Sequence, residues 1–415
     1  MFNKLKEECG IFGIYAKNSE ENLAYNTNYT FTLYLWIDGT IGANPMDMTN
    51  QTYQFSLVCD ITGEGTNKVQ DKSPENAAEY ITNLYTNAQK STATVNNITY
   101  NLAPSVNLMN DRHASMSTDI NGGDIRYYGA NPNNYVWLGD YYVENETETK
   151  KLWRVIGVFN GRVKLIQDVP IGDYPWDISA NTVNSGYGIN QWGESGNYEG
   201  SDLMRLLNPG FEGTTYNNSL YWNKTSGNAY TWDWDINTST TVSADFANTG
   251  LSSTERNMID TVTWYNGAYD NYSYVDAHYN AERGNMGKIC SGGNWCNDNV
   301  TRTSTWNGKV GLIYPSDYGY ASNLQQCNHT LGEYYESGCF DTNWLKQNYW
   351  YWTMSSRALS GNASFVFFVN GDGGLNDVDA RNDYAVRPAV YLKRGVTIDT
   401  EGKDGSESNP YVLNY

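Results

Sequence analysis

The strongest folding signal in the sequence is a short turn between two apolar runs. Asn160-Gly161 separates residues 152–159 from residues 162–166, and an Asn-Gly pair in this position predicts a tight β-hairpin. Runs of β-branched and aromatic residues predict further strands at 135–138, 349–354, 363–369 and 385–392. The region from residue 134 onward is therefore expected to carry strands near both of its ends.

Three helices are predicted from the residues that can cap their first turns. Ser73, Ser201 and Ser252 each precede an apolar-periodic segment, and a serine at such a position can accept hydrogen bonds from the unpaired N–H groups of the first turn. The segments that they start are 74–89, 203–207 and 253–263. The order of strands, helices, long loops and strands predicts an α+β fold whose N- and C-terminal strands pair.

The 415-residue chain is too long for one ordinary domain. Strand-like runs at 30–38 and 53–58 have no earlier partners, so residues 25–65 are interpreted as the closing strands of a partial β-sandwich. We expect a foreign-looking segment at 1–24, the sandwich strands at 25–65, a helix and linker at 66–133, the main domain at 134–395 and a C-terminal tail at 396–415.

The charge balance excludes two classes of partner. Lys and Arg number 27 against 46 Asp and Glu, which gives a formal net charge of −19 at pH 7. Nucleic acids and anionic lipids both require a positive surface, so neither is an expected partner. The sequence also lacks an apolar run approaching about 18 residues, so no membrane span is expected within it.

Four of the six cysteines form two local pairs, Cys290 with Cys296 and Cys327 with Cys339. Close pairs in turn-rich sequence favour disulfides in an oxidising compartment, although free thiols and a zinc site are alternatives. Cys9 and Cys59 have no obvious mates. We therefore expect an extracellular or cell-surface protein, although the first residues do not have the pattern of an export signal.

Residues 6–15, Lys-Glu-Glu-Cys-Gly-Ile-Phe-Gly-Ile-Tyr, resemble the extreme N-terminus of amidophosphoribosyltransferase. That resemblance implies a glutamine amidotransferase in which Cys9 is the nucleophile and its freed α-amine is the base. It covers at most 24 residues. We interpret this segment as foreign to the rest of the chain and keep amidotransferase activity as an alternative.

Four motifs between residues 134 and 393 carry a second resemblance. They are Leu-Trp-Arg-Val-Ile-Gly at 152–157, Leu-Leu-Asn-Pro-Gly at 206–210, Tyr-Pro-Ser-Asp-Tyr-Gly-Tyr at 314–320 and Tyr-Ala-Val-Arg-Pro-Ala-Val-Tyr-Leu at 384–392. In this order they resemble surface proteins of gut Firmicutes with a C-type-lectin-like fold. The same fold branch includes formylglycine-generating enzyme and the variable receptor proteins of diversity-generating retroelements. The formylglycine branch uses a C-terminal Cys pair, and this chain has no Cys after Cys339, so that chemistry is not expected.

In the retroelement receptors the stretch that corresponds to 355–384 presents the ligand-facing residues. The resemblance and the mixture of Arg, amide, acid and Tyr side chains predict ligand contacts by Arg357, Asn362, Asn370, Asp372, Asn376, Asp379, Asn382 and Tyr384. A solvated surface is the alternative. An adjacent aromatic cluster (Trp344 and residues 349–352) could form a platform for a sugar or a protein. Alternate members of that strand, either Trp350 and Trp352 or Tyr349 and Tyr351, are expected in the core.

Other candidate groups are weaker. Asp372, Asp377 and Asp379 lie in a glycine-bearing loop whose oxygen ligands suit Ca²⁺, although Gly-Asp-Gly is also ordinary hairpin chemistry. His113, His278 and His329 are expected to be exposed loop residues. Arg387 is expected to be structural.

These observations predict an extracellular adhesin or receptor-like protein, and not an enzyme. It would recognise a protein or glycan on another cell or on a host surface through its C-terminal loops, with Ca²⁺ as the one candidate cofactor. The alternatives are an enzyme, either amidotransferase-like through Cys9 or carbohydrate-active, and a structural surface or pilus subunit.

Overall fold

The structure, a computed structural model, divides the chain into two compact units, residues 1–71 and 72–415. It describes residues 4–7, 10–13, 75–113, 123–139, 151–177, 188–196, 198, 200–208, 229–231, 240–242, 246, 250–284, 300–359 and 363–415. In the first unit these include only the hairpin of β1 (Lys4–Glu7) and β2 (Gly10–Gly13). Cys9 and the strands expected within 25–65 lie outside the described residues.

The second unit contains both helices and strands, with more strands than helices, and this mixed content is compatible with the α+β class. Its helices are α1 (Ala77–Asn87), α2 (Asp202–Leu207), α3 (Ser253–Met258), α4 (Val275–Glu282), α5 (Pro315–Tyr320) and α6 (Ser337–Phe340). Its strands are β3 (Glu75–Asn76), β4 (Ser91–Val95), β5 (Ile98–Ala103), β6 (Leu108–Asn110), β7 (Ile125–Tyr127), β8 (Tyr135–Leu138), β9 (Trp153–Phe159), β10 (Arg162–Gln167), β11 (Asp173–Pro175), β12 (Ala229–Thr231), β13 (Thr240–Val242), β14 (Val262–Tyr265), β15 (Thr305–Gly308), β16 (Val310–Gly311), β17 (Tyr351–Ser356), β18 (Phe365–Val369), β19 (Leu375–Asp379), β20 (Asp383–Ala385), β21 (Ala389–Tyr391), β22 (Thr397–Asp399) and β23 (Tyr411–Asn414). No helix among the described residues is long and apolar enough to cross a membrane.

A large sheet of twelve strands organises the unit. Its main path runs β3-β22-β23-β8-β9-β7-β6-β5-β4, and β10, β21 and β16 continue it from the other side of β9. The last strand, β23, lies parallel to β8. The pairing of N- and C-terminal strands is therefore present, but it is made by residues that we had predicted to be a tail.

The predicted hairpin at Asn160-Gly161 is confirmed. β9 and β10 pair antiparallel with Phe159 opposite Arg162, and both turn residues have positive φ, +48° and +68°. Asn and Gly are the residues that enter this left-handed region at least cost, and two successive left-handed residues match the twist of the flanking strands.

Most of the region predicted as helix and linker, from residue 72 to residue 133, belongs to the second unit together with the predicted main domain. α1 begins at Ala77, with the side chain of Asn76 accepting hydrogen bonds from the N–H groups of Ala78 and Glu79. The expected start at Pro74 with a Ser73 cap is therefore wrong. After the helix, this region forms the β4–β5 hairpin. The expected linker supplies β6 and β7, and β7 pairs with β9.

The two other capping predictions are confirmed. Ser201 accepts a hydrogen bond from the N–H of Met204 at the start of α2, and Ser252 with Glu255 forms a capping box at α3. α3 ends at Met258, not at 263, because the β-branched and aromatic residues of β14 pair with β15 and bury Trp264.

A second sheet of five strands, ordered β11-β20-β17-β18-β19, contains three of the predicted ligand contacts, Asn376, Asp379 and Tyr384. The segment that precedes β17 contains a disulfide between Cys327 and Cys339, and both cysteines are buried. This pair was predicted as a disulfide, and the zinc and free-thiol alternatives do not apply to it. Cys290 and Cys296 lie outside the described residues.

Candidate ligand-binding face

Four aromatic side chains cluster on one face of the five-stranded sheet, and we call them the aromatic face: Trp350, Trp352, Phe368 and Tyr384. Trp352 in β17 lies directly opposite Phe368 in β18. The ring of Tyr384 packs against all three others, with centroid distances of 4.6 Å to Phe368, 4.8 Å to Trp352 and 5.2 Å to Trp350. Alternation along an extended chain places Trp350 on the same side as Trp352.

The aromatic face has a buried base and an exposed edge. Trp352 and Phe368 are only 1% and 5% exposed, while Trp350 is 51% exposed. The indole N–H of Trp352 donates to the carbonyl of Tyr174 at 2.8 Å, which fixes the base of the cluster. Trp350 therefore offers a large apolar surface to solvent from a position that its neighbours already hold in place.

The other members of the predicted aromatic cluster are structural. Trp344 is buried and donates its indole N–H to the carbonyl of Tyr127 at 3.0 Å. Tyr351 is buried, and its hydroxyl donates to the carbonyl of Leu345 at 2.8 Å. The expectation that only alternate members are core is wrong, since the neighbours Tyr351 and Trp352 are both buried. This sheet is covered on both of its faces at β17, so strand alternation does not separate core from surface there.

Two of the predicted contact residues, Asn376 and Asn382, border the aromatic face, and Asn370 follows the end of β18 two residues after Phe368. Asn376 in β19 lies opposite Phe368, so both side chains share one face of the sheet. Asn370 follows Val369, the strand partner of Tyr351, and its carbonyl accepts a hydrogen bond from the N–H of Gly373 in the turn beyond. Burial raises the pKa of Tyr384, and a hydrogen bond with the side chain of Asn382 partly offsets that rise.

Arg357 and Asp377 form an ion pair on the other side of β19. Asp377 lies opposite Phe367, one residue out of phase with the aromatic face, and a guanidinium N–H of Arg357 donates to its carboxylate. Burial raises the pKa of Asp377 to about 6 and lowers the pKa of Arg357. The guanidinium also lies 4.3 Å from the ring centroid of Tyr272. The hydroxyl of Tyr272 in turn donates to the side-chain oxygen of Asn376 at 3.2 Å.

This arrangement gives Arg357 a supporting position behind the face. Its guanidinium already forms an ion pair with Asp377 and packs on the ring of Tyr272. Tyr272 was not singled out in the sequence, because it lies 104 residues before the asparagine that it contacts and no local pattern marks such a contact.

The three carboxylates considered for Ca²⁺ do not form a common site. Asp372 is exposed and accepts the N–H of Gly374 at 3.0 Å, which is ordinary turn geometry. Asp377 pairs with Arg357, and Asp379 accepts the hydroxyl of Ser364 and lies 3.6 Å from Arg381. Among the described residues no group of three His, Cys, Asp or Glu side chains could hold a metal ion. Calcium binding stays a prediction that this geometry does not favour.

The remaining ligand predictions differ in status. Asn362 lies outside the described residues. Asp379 and Asn382 are half-buried, and the N–H of Asn382 donates to the carbonyl of Asp379 at 3.1 Å. Contact with ligand stays a prediction for all eight residues. Trp350, which we assigned to core or platform, is the most exposed member of the aromatic face.

The histidine prediction is wrong for two of three residues. His278 lies in α4, is 1% exposed, and packs edge-on against Phe367 at 5.4 Å. His113 stacks on Tyr279 at 3.5 Å, and its Nε2 lies 2.7 Å from the Tyr320 hydroxyl. Burial lowers the pKa of each imidazole to about 3, with nearby arginines adding to the effect. His329 is exposed, as expected.

The prediction that Arg387 is structural agrees with its surroundings. Its side chain is buried, its Nε donates to the carbonyl of Gln167 at 3.1 Å, and its terminal nitrogen lies 3.9 Å from Asp168. These contacts join the end of the small sheet to β10 of the large one.

Comparisons with known proteins do not identify the fold beyond its mixed helix and strand content. No protein-family model matches the chain, and no curated protein or solved structure matches it. The functional argument therefore depends on the geometry of the described residues.

Proposed function

We propose that this protein is an extracellular ligand-binding protein, adhesin or receptor-like, whose C-type-lectin-like domain recognises a protein or glycan with the aromatic face. The single observation that carries the proposal is Trp350, which is half exposed although its ring packs 5.2 Å from Tyr384 and 6.2 Å from Phe368. A large exposed ring that is already immobilised loses little entropy when a ligand covers it.

The chemistry around Trp350 suits stacking combined with hydrogen bonding. Asn376 and Asn382 border the face, and a side-chain amide can both donate and accept. Aromatic rings bordered by such adaptable polar groups are typical of sites that bind proteins and sugars. The face needs no metal ion or cofactor for this mode of recognition.

The disulfide supports an extracellular location. Cys327 and Cys339 are bonded in the structure, and structural disulfides persist mainly in oxidising compartments. Partners on another cell or on a host surface would be reached from such a location.

The test is a binding screen against a glycan array and a panel of surface proteins, followed by a Trp350→Ala variant. We expect the variant to lose binding by about tenfold or more, which corresponds to roughly 1.4 kcal/mol, while its thermal unfolding stays close to that of the unaltered protein. Tyr415→Ala is the matched control, because Tyr415 is 59% exposed but lies after β23 in the large sheet.

Two results would contradict the proposal. In the first, Trp350→Ala and Tyr415→Ala would weaken binding equally, which would show that any exposed aromatic residue contributes. In the second, Trp350→Ala would bind the ligand as tightly as the unaltered protein, which would place the binding site elsewhere.

A further inference from the structure

A groove lies between α1 and the large sheet, away from the strands of the aromatic face. Its volume is about 1000 Å³. Its floor includes Ile125 and Val158, which are nearly fully buried, and one wall is formed by α1, including Thr82 and Thr86. Five amide side chains also line it: Asn76, Asn83, Asn101, Asn110 and Asn160. The groove therefore offers many hydrogen-bonding groups above a small apolar floor.

The charged residues that line the groove are mainly positive, although the whole chain has a net negative charge. Lys90, Arg112 and Arg394 line it, and Glu79 is the one acid among the described lining residues. Among the described residues none of the three cations forms an ion pair with a carboxylate. In a chain with 46 acidic and 27 basic residues, three cations without a carboxylate partner among the described residues leave a local positive field along the groove. The guanidinium of Arg112 donates to the carbonyl of Thr99 at 2.6 Å, which positions the group without neutralising its charge. At physiological salt that field is screened from acids more than about 10 Å away.

The backbone near Arg112 adopts a conformation that brings this cation to the groove. Arg112 has a φ of +64°, a left-handed conformation that is unfavourable for a residue with a long side chain. The side-chain oxygen of Asn110 accepts its N–H at 2.8 Å and stabilises the turn. Gly123 approaches so closely that a Cβ there would collide with that oxygen and with the nitrogen of Arg112. Such strain persists only where the surroundings impose it, and it concentrates at functional sites.

The other two cations are held at opposite ends of the lining. The ammonium group of Lys90 caps the C-terminal end of α1 by donating to the carbonyls of Tyr85, Thr86 and Ala88, and it lies 4.4 Å from the ring centroid of Tyr85. Arg394 is exposed and lies over the β9–β10 turn, where a side chain at position 161 would collide with its guanidinium.

We propose that this groove binds an acidic oligosaccharide. The carboxylates of its sugar units would meet Lys90, Arg112 and Arg394, and its hydroxyl groups would exchange hydrogen bonds with the asparagine and threonine side chains. Guanidinium groups suit carboxylates because they present parallel N–H donors. The hydroxyl-rich character of the ligand follows from the lining, in which amides and hydroxyls outnumber charges.

The test is calorimetric titration of the full chain with trigalacturonate, with maltotriose as the neutral sugar and hexaglutamate as the acidic peptide. We expect binding of trigalacturonate, at least about tenfold weaker binding of both other probes, and weakening of the interaction as salt is raised. A combined Lys90→Gln, Arg112→Asn and Arg394→Gln variant should lose about tenfold or more. Asparagine is chosen at position 112 because it tolerates left-handed backbone.

Matched variants separate this site from general charge and from the aromatic face. Arg394→Gln alone should weaken binding about threefold without affecting folding, since its side chain has no hydrogen-bond partner within the part of the chain that the structure describes. Lys393→Gln, at the neighbouring position outside the lining, should change it by less than about twofold. Trp350→Ala should leave it unchanged, so the two proposed sites can fail independently. No binding of trigalacturonate, equal binding of hexaglutamate, or full binding by the triple variant would each overturn the proposal.

Discussion

The charged cluster of Asp317, Arg126 and Lys164 behind the large sheet is almost fully buried, whereas the Arg357–Asp377 ion pair of the small sheet is partly exposed to solvent. Behind the large sheet, Asp317 lies between Arg126 at 2.7 Å and Lys164 at 2.5 Å, and all three side chains are at most 1% exposed. In the small sheet the Arg357–Asp377 pair keeps some solvent access, and the aromatic face ends in a half-exposed Trp350. The first arrangement can only hold the molecule together, while the second can exchange solvent for a ligand.

The pKa values of Asp317 and Lys164 show how strongly the members of this buried cluster depend on one another. Burial opposes the charge of Asp317, but Lys164 and Arg126 outweigh it and lower the pKa of the carboxyl to about 2. Burial lowers the pKa of Lys164 to about 8, against the attraction of Asp317. Each charge is tolerated only because the others are present, so none is available to a partner molecule. The ion pair of the small sheet keeps more solvent access, since the side chains of Arg357 and Asp377 are 14% and 7% exposed.

The largest expected effect comes from breaking the buried group. Asp317→Asn should lower the free energy of unfolding by about 3–5 kcal/mol, because it leaves Lys164 buried without its carboxylate partner and leaves Arg126 with its ion pair to Asp111 alone. Urea unfolding followed by circular dichroism measures this. Asp341→Asn is the control, since Asp341 is 67% exposed and lies 3.9 Å from Lys346, and it should cost less than about 0.5 kcal/mol. A loss below about 1 kcal/mol for Asp317→Asn would contradict a structural role.

The next effect concerns the disulfide beside the small sheet. Replacing both Cys327 and Cys339 by serine should lower the free energy of unfolding by about 3 kcal/mol, because the bond closes a loop across a sequence separation of 12. Thermal unfolding with and without a reducing agent measures it. The unaltered protein should lose stability on reduction and the double variant should not. Equal melting of the unaltered protein in both conditions would show that the bond does not stabilise the fold.

A smaller effect depends on pH and on the contact between α4 and the small sheet. The pKa of buried His278 is about 3, whereas an unfolded histidine titrates near 6.5, so the unfolded chain binds an extra proton between these values. Folding stability therefore falls as pH decreases below about 6.5, by about 2 kcal/mol at pH 5. His278→Leu should remove this part of the pH dependence, measured by urea unfolding at pH 7.5 and 5. If exposed His329→Leu has the same effect, burial of His278 is not the cause.

The smallest expected effect on stability is at Trp350. Trp350→Ala should cost less than about 1 kcal/mol, because half of its surface already faces solvent. Trp352→Ala, two positions along the same strand, should cost about 3–5 kcal/mol because it empties a fully packed space. Parallel urea unfolding of the two variants measures the difference. Similar losses would show that the aromatic face is core throughout and would remove the basis for ligand contact.

Sequence-based prediction succeeded where the relevant contacts are local. The Asn160-Gly161 hairpin and the caps at Ser201 and Ser252 depend on residues at most a few positions apart. It failed for α1, where Asn76 and not Ser73 is the cap, because β3 pairs with β22 and occupies the residues just before the helix. A strand more than 300 positions away therefore decided where that helix begins.

The candidate site shows the same limit. Composition and resemblance pointed to residues 355–384, where Tyr384 belongs to the aromatic face and Asn376 borders it. The sequence could not place Arg357 behind the face, because its partners Tyr272 and Asp377 come from a distant loop and from the far side of β19.

The sequence by itself determined the mixed helix and strand content and the position of the tight hairpin, and it favoured the Cys327–Cys339 disulfide, since each follows from residue type and short spacing. Only the tertiary structure decided which aromatic and ionic side chains reach solvent. Tyr351 and Trp352 are neighbours in a strand that is covered on both faces, and His278 is buried by residues far away in the chain. Burial is a property of what surrounds a side chain, and those surroundings are assembled from segments that are distant in sequence.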